Sequence, residues 1–158
     1  MEEMTGQKHP LSFPKRERLH HRTAVELLFS RGESVYAYPL RMFYLILPGE
    51  ELTPALHPDT LSDVGRLQMM VTIPKKKFKR AVKRVLMRRR VKEAYRLDRL
   101  PLRDMVEHDP QGRYMLLAFI YAGDKLADSS KIRRQMGKLL AKAQAAFAPV
   151  KLNEDEGR

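Results

Sequence analysis

Thirteen of the twenty-five residues from Lys75 to Arg99 are Lys or Arg, set against only Glu93 and Asp98. That stretch therefore carries a net charge of +11 in a chain whose formal charge is +12, so the other 133 residues are close to neutral. A single-sign concentration of this kind is the footprint of a polyanion-binding surface. Within it Arg outnumbers Lys once the lysine run is past. The planar guanidinium binds phosphate oxygens in bidentate fashion and stacks on bases, which makes nucleic acid the favoured partner. The blander alternative is a solvated helix face, but such faces usually mix signs.

The charges need an element to hold them. From Arg84 onward a turn of about 100° per residue places Arg84, Arg88, Arg89, Lys92, Arg96 and Arg99 on one broad side. Leu86, Met87, Val91, Ala94 and Leu97 lie opposite, giving an amphipathic helix that docks on a core. Val85 interrupts the basic side. Arg90 falls on the apolar side, where its stem can lie along the core while its head reaches water. A basic amphipathic helix also suits anionic membranes or calmodulin-like partners. This one lacks Trp and Phe on its apolar side and is better explained by packing on a sheet.

The other residue types bear on what chemistry is possible. There is no cysteine, hence no disulfide, thiolate metal site or cysteine nucleophile. The five histidines stand at 9, 20, 21, 57 and 108, and His20-His21 is adjacent rather than i, i+4, so no metal site is expected. No glycine-rich phosphate loop occurs. The acids gather in Glu50 to Asp63, Asp104 to Asp109 and the C-terminus, all loop-like, where solvation is the default. No catalytic residue is expected on this chain. The absence of a long apolar run and of a secretory leader fits a cytoplasmic protein.

In chain order, residues 1–10 read as a disordered tail, 11–148 as one nucleic-acid-binding domain and 149–158 as a second tail. Thr23 and Glu26 have capping-box spacing, opening a short helix that Gly32 stops. Val35 to Leu47 is strand-like, and Pro39 divides it into a short edge strand and a longer one from Leu40. Pro48 to Gly65 reads as a loop and Leu67 to Ile73 as a third strand that runs into the lysines. Pro101 to Gln111 reads as a polar connection. Tyr114 to Tyr121 is a buried central strand, and Asp128 and Ser129 cap a last helix with Ile132, Met136, Leu139, Leu140, Ala143 and Phe147 at helical spacing. The sum is an α+β fold, an αβββαβα sandwich in which helices cover a small mixed sheet.

Lys76-Lys77-Phe78, Ala81-Val82, Arg84-Val85-Leu86, Arg88-Arg89, Lys92 and Ala94-Tyr95 together resemble the signature of the protein subunit of bacterial ribonuclease P. Phe13 to Gly32, with Arg18-Leu19 and Leu28-Phe29, is similar to that family's opening segment. The resemblance covers roughly residues 12–147. It implies a ribosomal-protein-like domain with a left-handed βαβ crossover. It also implies a division of labour in which a catalytic RNA binds metal ions and removes the 5′ leader from precursor tRNA while the protein assists. On this reading Lys75, Lys76, Lys77, Arg80, Lys83, Arg84, Arg88, Arg89, Lys92 and Arg96 bind RNA. Phe13, Arg18, Phe29, Tyr36, Phe43 and Tyr44 are candidates for a cleft that holds the leader, since aromatic stacking accepts many sequences. The protein alone binds no cofactor, and Mg2+ is expected in the holoenzyme. Neither membrane nor DNA is an expected partner.

Val85 and Leu86 stand where the family has Asn and a second Arg. Either Arg90 and Lys83 supply the missing contacts or the partner RNA differs locally. The rival reading is a non-catalytic RNA-binding or ribosome-associated protein of the same fold. A DNA-binding reading lacks any zipper or helix-turn-helix signal.

Overall fold

The computed structural model describes residues 13–52 and 64–148. Both tails, and most of the loop expected between Pro48 and Gly65, lie outside the described residues. After a 3-10 turn at Lys15–Glu17 come helix α1 (Arg22–Arg31), strands β1 (Glu33–Ala37) and β2 (Leu40–Pro48), and a single helical turn, α2 (Gly49–Leu52). Strand β3 (Leu67–Thr72), helices α3 (Ala81–Asp98) and α4 (Leu100–Glu107), strand β4 (Arg113–Tyr121) and helix α5 (Ser129–Phe147) complete the order. The expected αβββαβα series is present, with α2 and α4 added to it.

The four strands form one sheet in the order β1-β2-β4-β3, antiparallel except for the β3–β4 pair. The apolar run of β4 takes the central position its composition demands, with Met115 to Phe119 buried throughout. Pro39 sits in the turn between β1 and β2, so the missing donor falls outside the ladder and β1 is left as an edge.

Strand alternation divides the core in two. On one face Leu40, Met42, Met115, Leu117 and Phe119 pack under Met87 and Val91 of α3, Leu102 and Val106 of α4, and Met136, Leu139 and Leu140 of α5. Each such side chain, fully buried, contributes about 1.5–3 kcal/mol. On the other face α1, with Ala24 and Leu28, covers only the end of the sheet formed by Leu45, Leu47 and Leu116. Among the described residues, the remainder of that face carries no covering helix.

Three local expectations are corrected. Thr23 does not cap α1: the N-cap is His21 and no side chain bonds the helix amides. Arg22 occupies the first turn instead and pairs with Glu26 at 3.3 Å, drawing away the carboxylate a capping box needs. Gly32 does end the helix, but in extended conformation. A β-carbon there would meet the carbonyl oxygens of Leu28 and, at 2.7 Å, Tyr44. Close backbone approach, rather than a left-handed turn, is its reason. Pro101 to Gln111 is not a polar connection. Its first part is α4, in which Pro101 fits the opening turn and Leu102 and Val106 face the core.

Candidate nucleic-acid interface

Strand β3 ends at Thr72, and Pro74 turns the chain into the lysine run. Lys75, Lys76, Lys79, Arg80 and Lys83 are exposed, and none forms an ion pair within the described residues. The groove between this run and the β4–α5 loop is lined by Lys76, Lys77, Lys79, Arg80, Lys83 and Lys125 against one carboxylate, Asp124. Lys77 is half-buried and spends its charge on that Asp124, 3.1 Å away.

Along α3 the cationic side chains divide into two kinds. Among the described residues Arg88, Arg89 and Lys92 have no ion-pair partner; Arg89 and Lys92 are exposed and Arg88 partly so. Arg84 instead donates to the carbonyls of Phe78 and Lys79, both at 2.8 Å, and so holds the loop that carries the lysines. Arg90 lies against the core as its position predicts, donating at 2.6 Å to the carbonyl of Ala127. Arg96 forks onto Glu93 at 2.7 and 3.1 Å, and that hydrogen bond, with the charge of Arg96 behind it, holds the Glu93 carboxyl below its usual range. Val82, 78% exposed, and Val85, 46% exposed, stand bare among the cations.

Arg99 is a correction. The helical wheel assigns it to the basic side, yet it is fully buried, with its Nε 2.7 Å from Glu17. The wheel also misses Tyr95, which is buried near the same end of α3. The cause is the N-terminal segment. Phe13 packs edge-on against Tyr95 at 5.9 Å and Glu17 meets Arg99, so a stretch 82 residues away covers the side that is open nearer the start of α3.

The open sheet face gathers some of the cleft candidates and not others. Register aligns Tyr36, Arg41, Ile120 and Thr72 in one cross-strand row, and Ser34, Phe43, Ala118 and Met70 in the next. Directly opposed residues share a face. Phe29 of α1, 39% exposed, packs on Phe43 with ring centroids 5.0 Å apart. Tyr36 is 49% exposed, with the Arg41 guanidinium 4.9 Å from its ring centroid. Phe29, Phe43 and Tyr36 thus form one aromatic surface.

Tyr44 does not join them. As the strand neighbour of Phe43 it points to the opposite face, where it packs at the margin of the helix-side core and donates to Glu33 at 3.1 Å. Burial, then that bond, raises its pKa. Phe13 and Arg18 lie at the other edge of the sheet, where Arg18 bridges to Met69 of β3 and its guanidinium sits 5.7 Å from the Phe13 ring.

Arg41, Ile120, Thr72 and Met70 were not among the sequence candidates. Alternation along β2, β3 and β4 could have found them, once pairing fixed which residues oppose Phe43. A second omission is α5, whose Lys131, Arg133, Arg134, Lys138 and Lys142 meet no acid within the helix. Acids elsewhere in the chain hide this excess in the overall charge.

Among the described residues no three His, Asp or Glu side chains converge as a metal site would require. Nor is any helix there long and apolar enough to cross a membrane.

A family model for Ribonuclease P matches residues 13–144. The Ribonuclease P protein components of two Porphyromonas gingivalis strains are each 35% identical over 126 residues, spanning 80% of this chain and 82% of theirs. Among solved structures, the Staphylococcus aureus RNase P protein matches with a TM-score of 0.55 at 13% identity, covering 84% of this chain and 98% of that one. A mutant of the S. aureus protein, described as defective in mRNA degradation, gives 0.52 at 13% identity over 82% and 90% of the two chains. At that identity the two structures speak to the fold alone.

Proposed function

The chain belongs to the ribonuclease P protein family, and from that premise we propose how its two surfaces divide the work of tRNA 5′ maturation. The lysine run and the outward side of α3, from Lys75 to Lys92, bind the catalytic RNA through its phosphates. The open sheet face receives the single-stranded 5′ leader of precursor tRNA. Residues 11–148 act as one RNA-binding unit, working in the cytoplasm. Cleavage chemistry and Mg2+ belong to the RNA, and the protein raises the effectiveness of that RNA by holding it and its substrate together.

The observation that carries this reading is the pair of cross-strand rows ending beside the lysine run. Tyr36, Phe43 and Phe29 offer ring faces without base-edge donors arranged for one sequence, and Arg41 adds a cation among them. Stacking of this kind contributes about 1–3 kcal/mol per base and tolerates any base. Leaders vary in sequence, so tolerance is what the task needs. Arg84 and Arg96 act by holding the loop and the helix surface, while Arg88, Arg89 and Lys92 meet phosphate. Val85 cannot donate the hydrogen bonds of an Asn, and its exposed methyls suit a ribose or base contact instead.

Reconstitution tests the proposal. The protein is mixed with ribonuclease P RNA from the same source, and leader release from precursor tRNA is followed at low magnesium. Stimulation over RNA alone is expected, and protein without RNA is expected to release no leader with or without magnesium. RNA binding without stimulation would support the non-catalytic RNA-binding reading instead. Cleavage by RNA-free protein would overturn the accessory role.

A further inference from the structure

We propose that the single-stranded RNA path does not end at the sheet but continues around the β1 edge onto α5, with Tyr38, Lys131, Arg134 and Lys138 as its distal contacts. The inference rests on the open sheet face being the RNA cleft, and extends it to a surface on the other layer of the fold.

Three observations converge. The first is an aromatic connection. Tyr36 lies in the row that crosses the open face, and its ring centroid is 6.3 Å from that of Tyr38 in the β1–β2 turn. Tyr38 is 47% exposed, and the Lys131 ammonium of α5 stands 5.3 Å from its ring centroid. Gln135 donates at 2.7 Å to the Tyr38 carbonyl, fixing the turn to the helix. The chain of contacts thus leaves one sheet face and arrives on the helix that covers the other.

The second is charge. Helix α5 bears five cations and no carboxylate, and among the described residues Arg133 alone of them forms an ion pair, with Asp98 at 2.9 Å. Arg134, Lys138 and Lys142 follow at four-residue spacing, each about 6 Å along the axis from the last. Like charges so placed repel one another. Lys131, Arg133 and Arg134 also stand near the helix N-terminus, where the helix dipole disfavours cations. Asp128 accepts from the Lys131 amide at 2.8 Å and so satisfies one helix donor, and its charge also acts on Arg134; one carboxylate at the start of α5 leaves the rest of its outer side a cationic strip that suits an external anion.

The third is the kind of anion. Two half-exposed tyrosines next to a row of cations suit unpaired bases on a phosphate backbone. A duplex keeps its base faces stacked inside and cannot use the rings.

The test uses the full chain, labelled oligouridylates of about 4 and about 16 nucleotides, the limits of single-strand site sizes on small β folds, and a salt titration around physiological ionic strength. In the double variant Arg134→Gln/Lys138→Gln the slope of log affinity against log salt is expected to fall by about 1.4 for the long oligomer, two contacts at about 0.7 each. The short oligomer, held by the sheet face, is expected to keep its slope. Tyr38→Ala is expected to weaken the long oligomer alone. Phe29→Ala reports on the sheet reading separately and is expected to weaken both lengths. If the long oligomer keeps its slope in the α5 variant, the extension is overturned. Loss of affinity for duplex RNA or for phosphatidylserine vesicles, with the long oligomer unaffected, would also overturn it and assign α5 to that partner. An effect of the α5 variant with none from Phe29→Ala would sink the sheet cleft while leaving α5 as an RNA surface.

Discussion

Two arginines ten positions apart illustrate what side-chain identity does and does not determine. Arg89 and Arg99 fall on the same broad side of the helical wheel, but Arg89 faces water and Arg99 is sealed against Glu17, with Arg103 a further 3.6 Å contact on the same carboxylate. Burial, followed by the charge of Glu17, pushes the Tyr95 phenol beside them well above its ordinary pKa, and the Arg99–Glu17 pair is itself shut off from water. Removing Arg99 leaves Glu17 with the longer contact to Arg103, and breaking a buried pair costs about 3–5 kcal/mol. Arg99→Ala is therefore expected to lower the urea midpoint sharply, and a midpoint equal to wild type would refute the structural role of the pair. Arg89→Ala is expected to stay within about 0.5 kcal/mol of wild-type stability and to reduce the salt slope of RNA binding by about 0.7–0.9. An unchanged slope would remove Arg89 from the RNA surface. The sequence makes the surplus of cations legible. It cannot separate a binding arginine from a structural one, because the deciding carboxylate comes from Glu17, far away in the chain.

At the scale of elements, the clamp between the α4–β4 turn and the end of α5 links acidity to stability. Arg113 donates to Asp109 through its backbone amide at 2.9 Å and its guanidinium at 3.0 and 3.1 Å. The same guanidinium bonds the Phe147 carbonyl at 3.0 Å and lies 4.2 Å from the Phe147 ring centroid. The side-chain bond from Arg113 is the main cause that holds the Asp109 carboxyl below its usual value. A depressed folded pKa means that the stabilisation is complete above the unfolded value of about 3.9 and is lost as pH falls through the folded value. Asp109→Asn is thus expected to be less stable than wild type near neutrality, with the difference shrinking in acid. Urea midpoints measured at several pH values check it, and a difference independent of pH would refute the linkage. Elements with strong apolar periodicity, β4 and α5 above all, are legible from sequence alone. Helix α4 is less so, because Pro101 and its charged residues read as a connection until the sheet supplies a surface for Leu102, Met105 and Val106.

For the molecule as a whole, the sheet separates the two surfaces proposed to bind RNA. Helix α3 packs on one face through Met87 and Val91, and the aromatic rows open on the other. Alternation within β2 decides which residues belong to which layer, and the sequence offers that pattern without saying which face stays bare. Because α1 covers only one end of the second face, Phe29, Phe43 and Tyr36 remain accessible there. Substitutions on the two layers should act independently, since distant sites without shared partners add within about 0.3–0.5 kcal/mol. Arg89→Ala is expected to weaken assembly with the catalytic RNA whether or not the substrate has a leader. Tyr36→Ala is expected to leave that assembly intact and to reduce the advantage of a long leader over a short one, with little change in salt dependence because no charge is lost. In the double variant the two losses should sum. A Tyr36 effect that persists with leaderless substrate would place the aromatic face on the catalytic RNA instead. Strong coupling between the two substitutions would mean that one RNA segment contacts both the aromatic face and α3.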